Sequence, residues 1–327
     1  MKKILDYLLK KNSLSLEVAK DLLLNITMGQ FNTSQIASLT SIYNMRPSYF
    51  NEIEGFRQAL LYLGLQINLN AFNALDIVGT GGDKKTFNIS TLASFVVAGA
   101  GKKVIKHGNY ASSSIIGSSS ILEMLGWKFT TDVATLKNLL EKTGICFLHA
   151  PLFYPSIKKL ASIRKNIGTK NILNILGPLL NPSKNQYQLV GVNNLDLARI
   201  YYIVLKNTSK KYSIVHSLDG YDEISLTGPF KCYSPEGEYN YSPQSLGCLL
   251  LQSKYIKGGK SSKENKNIFL DIISGDGTRP QNEVVIVNAA FALGLLNKED
   301  WESNYARAKE SLESGKAKKS LKKFLEQ

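Results

Sequence analysis

Cysteine is scarce in this chain of 327 residues, with only Cys146, Cys232 and Cys248 present. They share no metal-binding spacing and form no Cys-x-x-Cys, which argues against a thiolate metal centre or a disulfide framework and suits a reducing compartment, the cytoplasm. Long apolar runs are also missing. No stretch approaches ~18 uninterrupted apolar residues, so no membrane span is expected. The apolar run that opens the chain is broken by Asp6 and Lys10, and no small-residue cleavage site follows. It reads as the first helix of the mature protein rather than a leader. Internal repeats and low-complexity linkers are absent. Acidic residues are in deficit, 26 against 40 basic, for a net charge of +14. Such a surface attracts nucleic acid, anionic membrane or a phosphorylated small molecule, and says nothing about fold. The densest basic run is Lys316, Lys318, Lys319, Lys322 and Lys323. With Leu321, Phe324 and Leu325 it forms an amphipathic C-terminal helix whose lysines read as a solvated face.

What the chain does have is apolar content, 43% of residues, enough for a large core in one or two domains. Up to Leu65 the pattern is helical throughout. Ile4, Leu5, Leu8 and Leu9 make one stripe. Ser15 can cap a second helix with Val18, Ala19, Leu22 and Leu23 inward. Thr33 or Ser34 can cap a third, with Ile36, Leu39, Ile42 and Tyr43 on one face. Pro47 opens a fourth, carrying Ile53, Phe56, Leu60 and Leu61. Beyond Leu65, short apolar runs at 75–78, 103–106, 145–148, 188–192 and 213–216 alternate with helical stretches such as 91–100, 118–125 and 195–205. That alternation predicts an α/β fold with a mainly parallel central sheet covered by helices. Ligands of such sheets sit beyond the carboxyl ends of the strands, so loops following three of these strands should converge.

The first of those loops is Gly79-Thr80-Gly81-Gly82-Asp83. Its glycines let backbone N–H groups approach a phosphate, and a plain tight turn uses glycine equally well. Asp83 suits the hydroxyls of a sugar. Thr86-Phe87-Asn88-Ile89-Ser90-Thr91 then leads into an apolar helix, whose N-terminus favours an anion. The second loop runs from Lys106-His107-Gly108-Asn109 through Tyr110, Ala111, Ser112, Ser113 and Ser114 to Ser118. A lysine and a row of hydroxyls suit a diphosphate. The third, Asp219-Gly220-Tyr221-Asp222-Glu223, offers adjacent carboxylates to a hard cation such as Mg²⁺, although a lone Asp-Glu pair is commonly just solvated loop.

Together GTGGD at 79–83, TFNIST at 86–91, KHGN at 106–109, ILGPLLNP at 175–182 and DGYDEIS at 219–225 resemble the anthranilate phosphoribosyltransferase family, over nearly the whole chain. The resemblance implies transfer of phosphoribose from phosphoribosyl pyrophosphate to the amine of anthranilate. It implies a fold with a small all-helical domain at 1–65, joined by a returning segment near 172–185. A large α/β domain would comprise 66–171 and 186–327. It implies that Gly79, Gly82, Asp83, Thr86, Asn88, Ile89, Ser90 and Thr91 hold the donor, with Lys106, His107, Gly108, Asn109, Tyr110, Ala111, Ser112, Ser113, Ser114 and Ser118. Two Mg²⁺ ions per subunit would sit on Ser90 with Glu223 and on Asp222 with Glu223. Lys106, Asn109 and Arg164 would act as electrostatic and positioning groups, Asn109 and Arg164 on anthranilate; no covalent nucleophile is implied. Partners would be a second copy, docked through the helical domain, and a glutaminase subunit.

The match has departures. Tyr110 and Ile115 stand where the family usually has Arg and Lys, Ser120 where it has Asp, Tyr154 where a His is common, and Lys170 where it has Arg. Two positive charges are thus missing beside an anionic substrate, unless nearby lysines such as Lys84 and Lys85 supply them. An idle relative that binds nucleic acid would fit the charge of +14 but has no need of the Asp222–Glu223 pair. A nucleoside phosphorylase of the same fold fits the GTGGD and KHGN loops less well.

Overall fold

The computed structural model describes residues 1–81, 84–111, 115–157, 172–297 and 299–327. Gly82, Asp83, Ser112, Ser113, Ser114, Arg164 and Lys170, all named above, lie outside the described residues. The chain opens on α1 (Lys2–Leu9), α2 (Leu16–Thr27), α3 (Thr33–Asn44) and α4 (Phe50–Leu63). Ser15 caps α2, its hydroxyl accepting from Val18 N at 3.4 Å. The cap of α3 is Asn32, not Thr33 or Ser34. Asn32 Oδ1 takes Gln35 N while Gln35 Oε1 takes Asn32 N, and this reciprocal box satisfies two N–H groups where a lone hydroxyl satisfies one.

Pro47 does not open α4, which starts at Phe50. The preceding turn is held instead by Arg46. Its guanidinium lies over the rings of Tyr43 and Tyr49 and pairs with the fully buried Glu52. Glu52 also takes Leu14 N at 2.8 Å. Buried contacts run through Ala19, Leu22, Leu23, Ile36, Leu39, Ile53, Phe56 and Leu60. Leu9 and Val18, expected inward, are exposed; one ends α1 and the other lies in the first turn of α2, where the packed stripe has not yet closed.

A seven-stranded sheet follows among the described residues: β1 (Leu75–Gly79), β2 (Val104–Gly108), β3 (Ile145–His149), β4 (Tyr187–Gly191), β5 (Lys211–Ser217), β6 (Phe230–Ser234) and β7 (Gly237–Tyr241). The order is β3-β2-β1-β4-β5-β6-β7, with β1 to β5 parallel as expected. The antiparallel hairpin of β6 and β7 was not foreseen, although Pro235-Glu236 between two tyrosine-bearing runs is a turn signal. Helix α5 (Ile89–Gly99) is buried on nearly every side, as a helix apolar around most of its girth must be. The helices Arg279–Leu296 and Lys316–Leu325 cover it. In the latter Ala317, Ser320, Leu321 and Phe324 face inward and the lysines face solvent. No helix among the described residues is long and apolar enough to cross a membrane.

Two features set the site. The chain runs β1, β2, β3 to one side and then restarts at β4 on the other side of β1, so a switch point lies between β1 and β4. The short helix Ile172–Leu176 packs back onto α3 and α4. The segment after it is tied to the sheet, Asn181 Nδ2 donating to Ile105 O at 2.9 Å and Gln188 Nε2 to Pro178 O at 2.6 Å.

Candidate active site

A cleft of about 250 Å³ opens at the carboxyl ends of β1 and β2. Gly79 supplies one wall, with Thr86, Asn88, Ile89, Ser90 and Thr91 of the turn into α5. A second wall is Lys106, His107, Gly108, Asn109, Tyr110 and Ala111, with Ser118 at the start of α6 (Ser118–Met124). Asp222 and Glu223 close the floor. Every expected site residue within the described stretches of the chain therefore lies in one cleft; the exceptions are Gly82, Asp83, Ser112, Ser113, Ser114 and Arg164, which lie outside the described residues.

The glycine loop grips the acidic loop. Gly81 has φ of +75°, a left-handed conformation that favours glycine, and its N–H donates to Asp222 Oδ2 at 2.7 Å. A Cβ on Gly79 would lie 2.3 Å from Asp222 Oδ2, and one on Gly191 only 1.5 Å from Asp222 O. The strand ends of β1 and β4 are thus bare so that Asp222 can sit on them. Asn193 Nδ2, 3.3 Å from Gly81 O, adds a tie from the β4 side.

Glu223 is half-buried beside Asp222, and its enclosed Oε1 has no protein partner. Burial and the Asp222 charge push its carboxyl well above the usual range, opposed by a hydrogen bond from Thr86. Such a pair gains from a cation. No group of three or more His, Cys, Asp or Glu gathers among the described residues, so a protein cage is not on offer. Two carboxylates and a hydroxyl fit Mg²⁺, which keeps waters and shares its shell with substrate phosphates. Ser90 Oγ, the third candidate oxygen, takes Lys106 Nζ at 3.3 Å.

Lys106 is almost wholly buried, its ammonium donating to Ile77 O as well. Burial lowers its pKa to about 8, while the charge of buried Asp76 acts the other way. His107 is buried against Tyr154, edge-on with ring centroids 5.9 Å apart. Burial pulls its pKa down to about 4, so it is neutral at pH 7 and a weak base. Thr80 Oγ1, Asn88 Oδ1, Thr91 Oγ1 and His107 Nε2 are buried along the cleft without a protein partner. Native interiors rarely leave such groups unpaired, and a polar ligand would satisfy them.

Of the departures, Tyr110 and Tyr154 are held by local partners. Tyr110 donates its hydroxyl to Glu123 Oε1 at 2.7 Å and sets its ring edge-on to His149. Ile115 is exposed and Ser120 half-buried. Tyr154 is buried with its hydroxyl on Leu180 O, so it packs beneath the cleft and does not line it. Asn174, Gly177, Pro178 and Gly117 on the walls, and Gly191 below, carried no site role in the sequence, where Lys84 stood only as a nearby lysine able to supply the missing charge. Gly79, Gly108 and Gly191 each end a parallel strand; that repeated placement was the available signal for Gly191.

A bare parallel-sheet switch point, with an anion-ready helix start on one side and a half-buried carboxylate pair on the other, suits a transferase of phosphorylated sugars. In agreement, residues 71–318 match the glycosyl transferase family, a/b domain. Whole-chain relatives are narrower in kind. The anthranilate phosphoribosyltransferase of Flavobacterium johnsoniae is 50% identical over 100% of this chain and 99% of its own. That of Bacteroides thetaiotaomicron is 45% identical, again over 100% and 99%. Among solved structures, anthranilate phosphoribosyltransferase from Thermus thermophilus superposes with a TM-score of 0.89 at 28% identity, covering 98% of each chain. The enzyme from Saccharomyces cerevisiae in complex with phosphoribosyl pyrophosphate and Mg gives 0.89 at 27%, covering 98% and 96%. The chain belongs to the anthranilate phosphoribosyltransferase family.

Proposed function

We propose that this chain transfers phosphoribose from phosphoribosyl pyrophosphate to the amino group of anthranilate, releasing pyrophosphate, in the cytoplasm. The observation that carries the reading is the joining of the glycine loop to the half-buried Asp222–Glu223 pair within one cleft, in a chain whose full-length relatives bear that name. Ser90, Asp222 and Glu223 are the residues that would hold Mg²⁺, two ions per subunit. When bound, the metal neutralises charge on the diphosphate.

The protein's own contribution is positioning and electrostatics. Lys106 carries a buried positive charge beside Ser90, where charge builds on a departing diphosphate. The open N–H groups at the start of α5 add to it. Asn109 holds its Oδ1 on Tyr110 N at 2.7 Å, which leaves the amide NH₂ end to meet the acceptor. Arg164 is the proposed partner of the anthranilate carboxylate, a pairing that can be bidentate. No covalent nucleophile is needed, because diphosphate is a stable leaving group. Neutral, weakly basic His107 is no general base. The helical region 1–65, with the returning segment 172–185, is proposed to fold as its own domain and to form a homodimer. A glutaminase subunit is a further proposed partner.

The test is loss of anthranilate fluorescence with and without phosphoribosyl pyrophosphate and Mg²⁺. Consumption should require both, stop on chelation, and fall at least a hundredfold in Asp222→Asn with Glu223→Gln, the order expected when a positioned metal is lost. Full turnover in EDTA would overturn the metal assignment, and no turnover with both present would overturn the activity.

A further inference from the structure

Only two cationic side chains line the cleft among the described residues, Lys84 and Lys106. Lys106 is buried, with its ammonium committed to Ile77 O and Ser90 Oγ. Lys84 differs on each point. It is exposed. Its Nζ lies over the face of the Tyr221 ring, 5.4 Å from the centroid, close enough for cation–π attraction. Tyr221 itself is buried, and its backbone O accepts from Ser217 N at 3.2 Å, so the ring is a fixed platform. The stem of Lys84 passes Gly220: a Cβ there would meet Lys84 Cε at 3.6 Å.

The backbone around Lys84 is pinned as well. Thr86 N donates to Lys84 O at 2.8 Å and Gly258 N to Lys85 O at 2.7 Å, beside the bridge between Thr86 and Lys257. The lysine therefore enters the cleft from a held segment, and its ammonium rests on the residue that immediately precedes Asp222 and Glu223. Resting a cation on an aromatic face holds it in place without spending its hydrogen-bond donors. No acceptor among the described residues takes an N–H bond of the ammonium, so they stay available to an oxyanion.

We infer that Lys84, held on the Tyr221 ring, is a donor-binding residue that takes the diphosphate of the sugar donor at the mouth of the cleft. The inference rests on the proposed function. The diphosphate is favoured over the 5-phosphate because Lys84 stands on the side of Asp222 and Glu223, where a Mg²⁺-bound diphosphate would lie.

The experiment is calorimetric titration of phosphoribosyl pyrophosphate, of inorganic pyrophosphate with Mg²⁺, and of ribose 5-phosphate into wild type, Lys84→Met and Lys84→Arg. Turnover and both KM values are measured alongside. Lys84 is exposed, so Lys84→Met should keep the wild-type melting temperature. In low salt it should bind the donor and Mg²⁺-pyrophosphate ~5–10-fold more weakly, the scale of one charge-assisted contact at a partly exposed site. The deficit should shrink to about twofold or less near 0.5 M salt. Affinity for ribose 5-phosphate and the KM for anthranilate should hold, and Lys84→Arg should restore most of the loss. Unchanged pyrophosphate affinity in Lys84→Met would overturn the inference, as would an equal loss for ribose 5-phosphate. Neither result touches the proposed activity, which fails separately if the wild type does not bind the donor or consume anthranilate.

Discussion

Replacing Gly191 by alanine tests how the acidic loop is seated. Gly191 ends β4, level with Gly79 of β1 and Val215 of β5. A Cβ there would lie 1.5 Å from Asp222 O and 2.5 Å from its carbonyl carbon, where ordinary contact begins at 3.4 Å. Something must therefore retreat by about 2 Å, and the obstacle is backbone, not the tip of a flexible side chain. The strand cannot yield, because hydrogen-bonded strands flank it on both sides. The loop is the softer partner, although Glu223 O takes Ser217 Oγ at 2.7 Å and Ile224 N donates to Asn288 Oδ1 at 3.1 Å. The expected outcome is a folded protein destabilised by about 1–3 kcal/mol, the usual cost of overpacking. Asp222 and Glu223 should be displaced from Gly81.

Displacement by more than 1 Å should lower turnover roughly a hundredfold and weaken Mg²⁺-dependent donor binding at least as clearly as it affects stability. Thermal melts by circular dichroism, calorimetry of the donor with Mg²⁺, and anthranilate fluorescence give the three readouts. Gly228→Ala is the matched control, since the new Cβ would meet Asp219 Cγ at an ordinary 3.7 Å, and it should be nearly silent. A folded Gly191→Ala protein with wild-type donor affinity and turnover would refute the claim that this bare strand end seats the metal pair.

Burial holds the His107 pKa at about 4, below the ordinary 6.5. The unfolded chain therefore takes the proton first as pH falls; the stability is fully present above about pH 6.5 and lost down to about pH 4. At about 1.4 kcal/mol per pH unit within that window, wild type should lose ~2 kcal/mol from this residue between pH 7 and 5, and His107→Gln should lose less by that amount in urea melts. Identical pH slopes would reject it. Arg46→Met should cost about 3–5 kcal/mol in the same melts, because Glu52 is left buried without its cation, and adding Glu52→Gln should recover some of it; a loss under about 1 kcal/mol would count against a buried pair. Tyr110→Arg with Ile115→Lys should tighten donor binding in low salt and lose that gain in high salt. Because Glu123 stands within reach of residue 110, adding Glu123→Gln should enlarge the gain. A donor KM that ignores both salt and Glu123 would refute the prediction.

Much of this was legible because it depends on local period and short motifs. Five parallel strands, the helical start and the convergence of three loops follow from alternating apolar runs and from glycine at strand ends. Helix starts were less legible where a competing device won. Asn32 out-caps Thr33 because Gln35 reciprocates, and Arg46 fixes the turn that Pro47 suggested. The contacts that seat Asp222 join residues up to 143 positions apart, with Gly79, Gly81 and Gly191 all meeting one carboxylate residue. No window of sequence holds that geometry. Lys84 was visible only as one of two adjacent lysines able to supply the charge missing at 110 and 115, since its platform is Tyr221, far along the chain.

The departure at 110 makes physical sense only with both walls in view. An arginine at 110 would depend on ligand charge to settle; the tyrosine that replaces it is settled by the protein. Its hydroxyl is on Glu123, and its ring meets His149, which is itself stacked on Phe129 and hydrogen-bonded to buried Ser119 at 2.8 Å. Burial lowers the His149 pKa, which favours the neutral ring that can share that hydrogen bond in either sense. The start of the second loop is therefore held before any ligand arrives, which lowers the ordering cost of binding while removing a cation from that wall. On the opposite wall an exposed ammonium rests on Tyr221. The two tyrosines thus divide the work that charge alone would do: Tyr110 fixes the loop, and Tyr221 carries the charge to where the carboxylate pair and a diphosphate would meet.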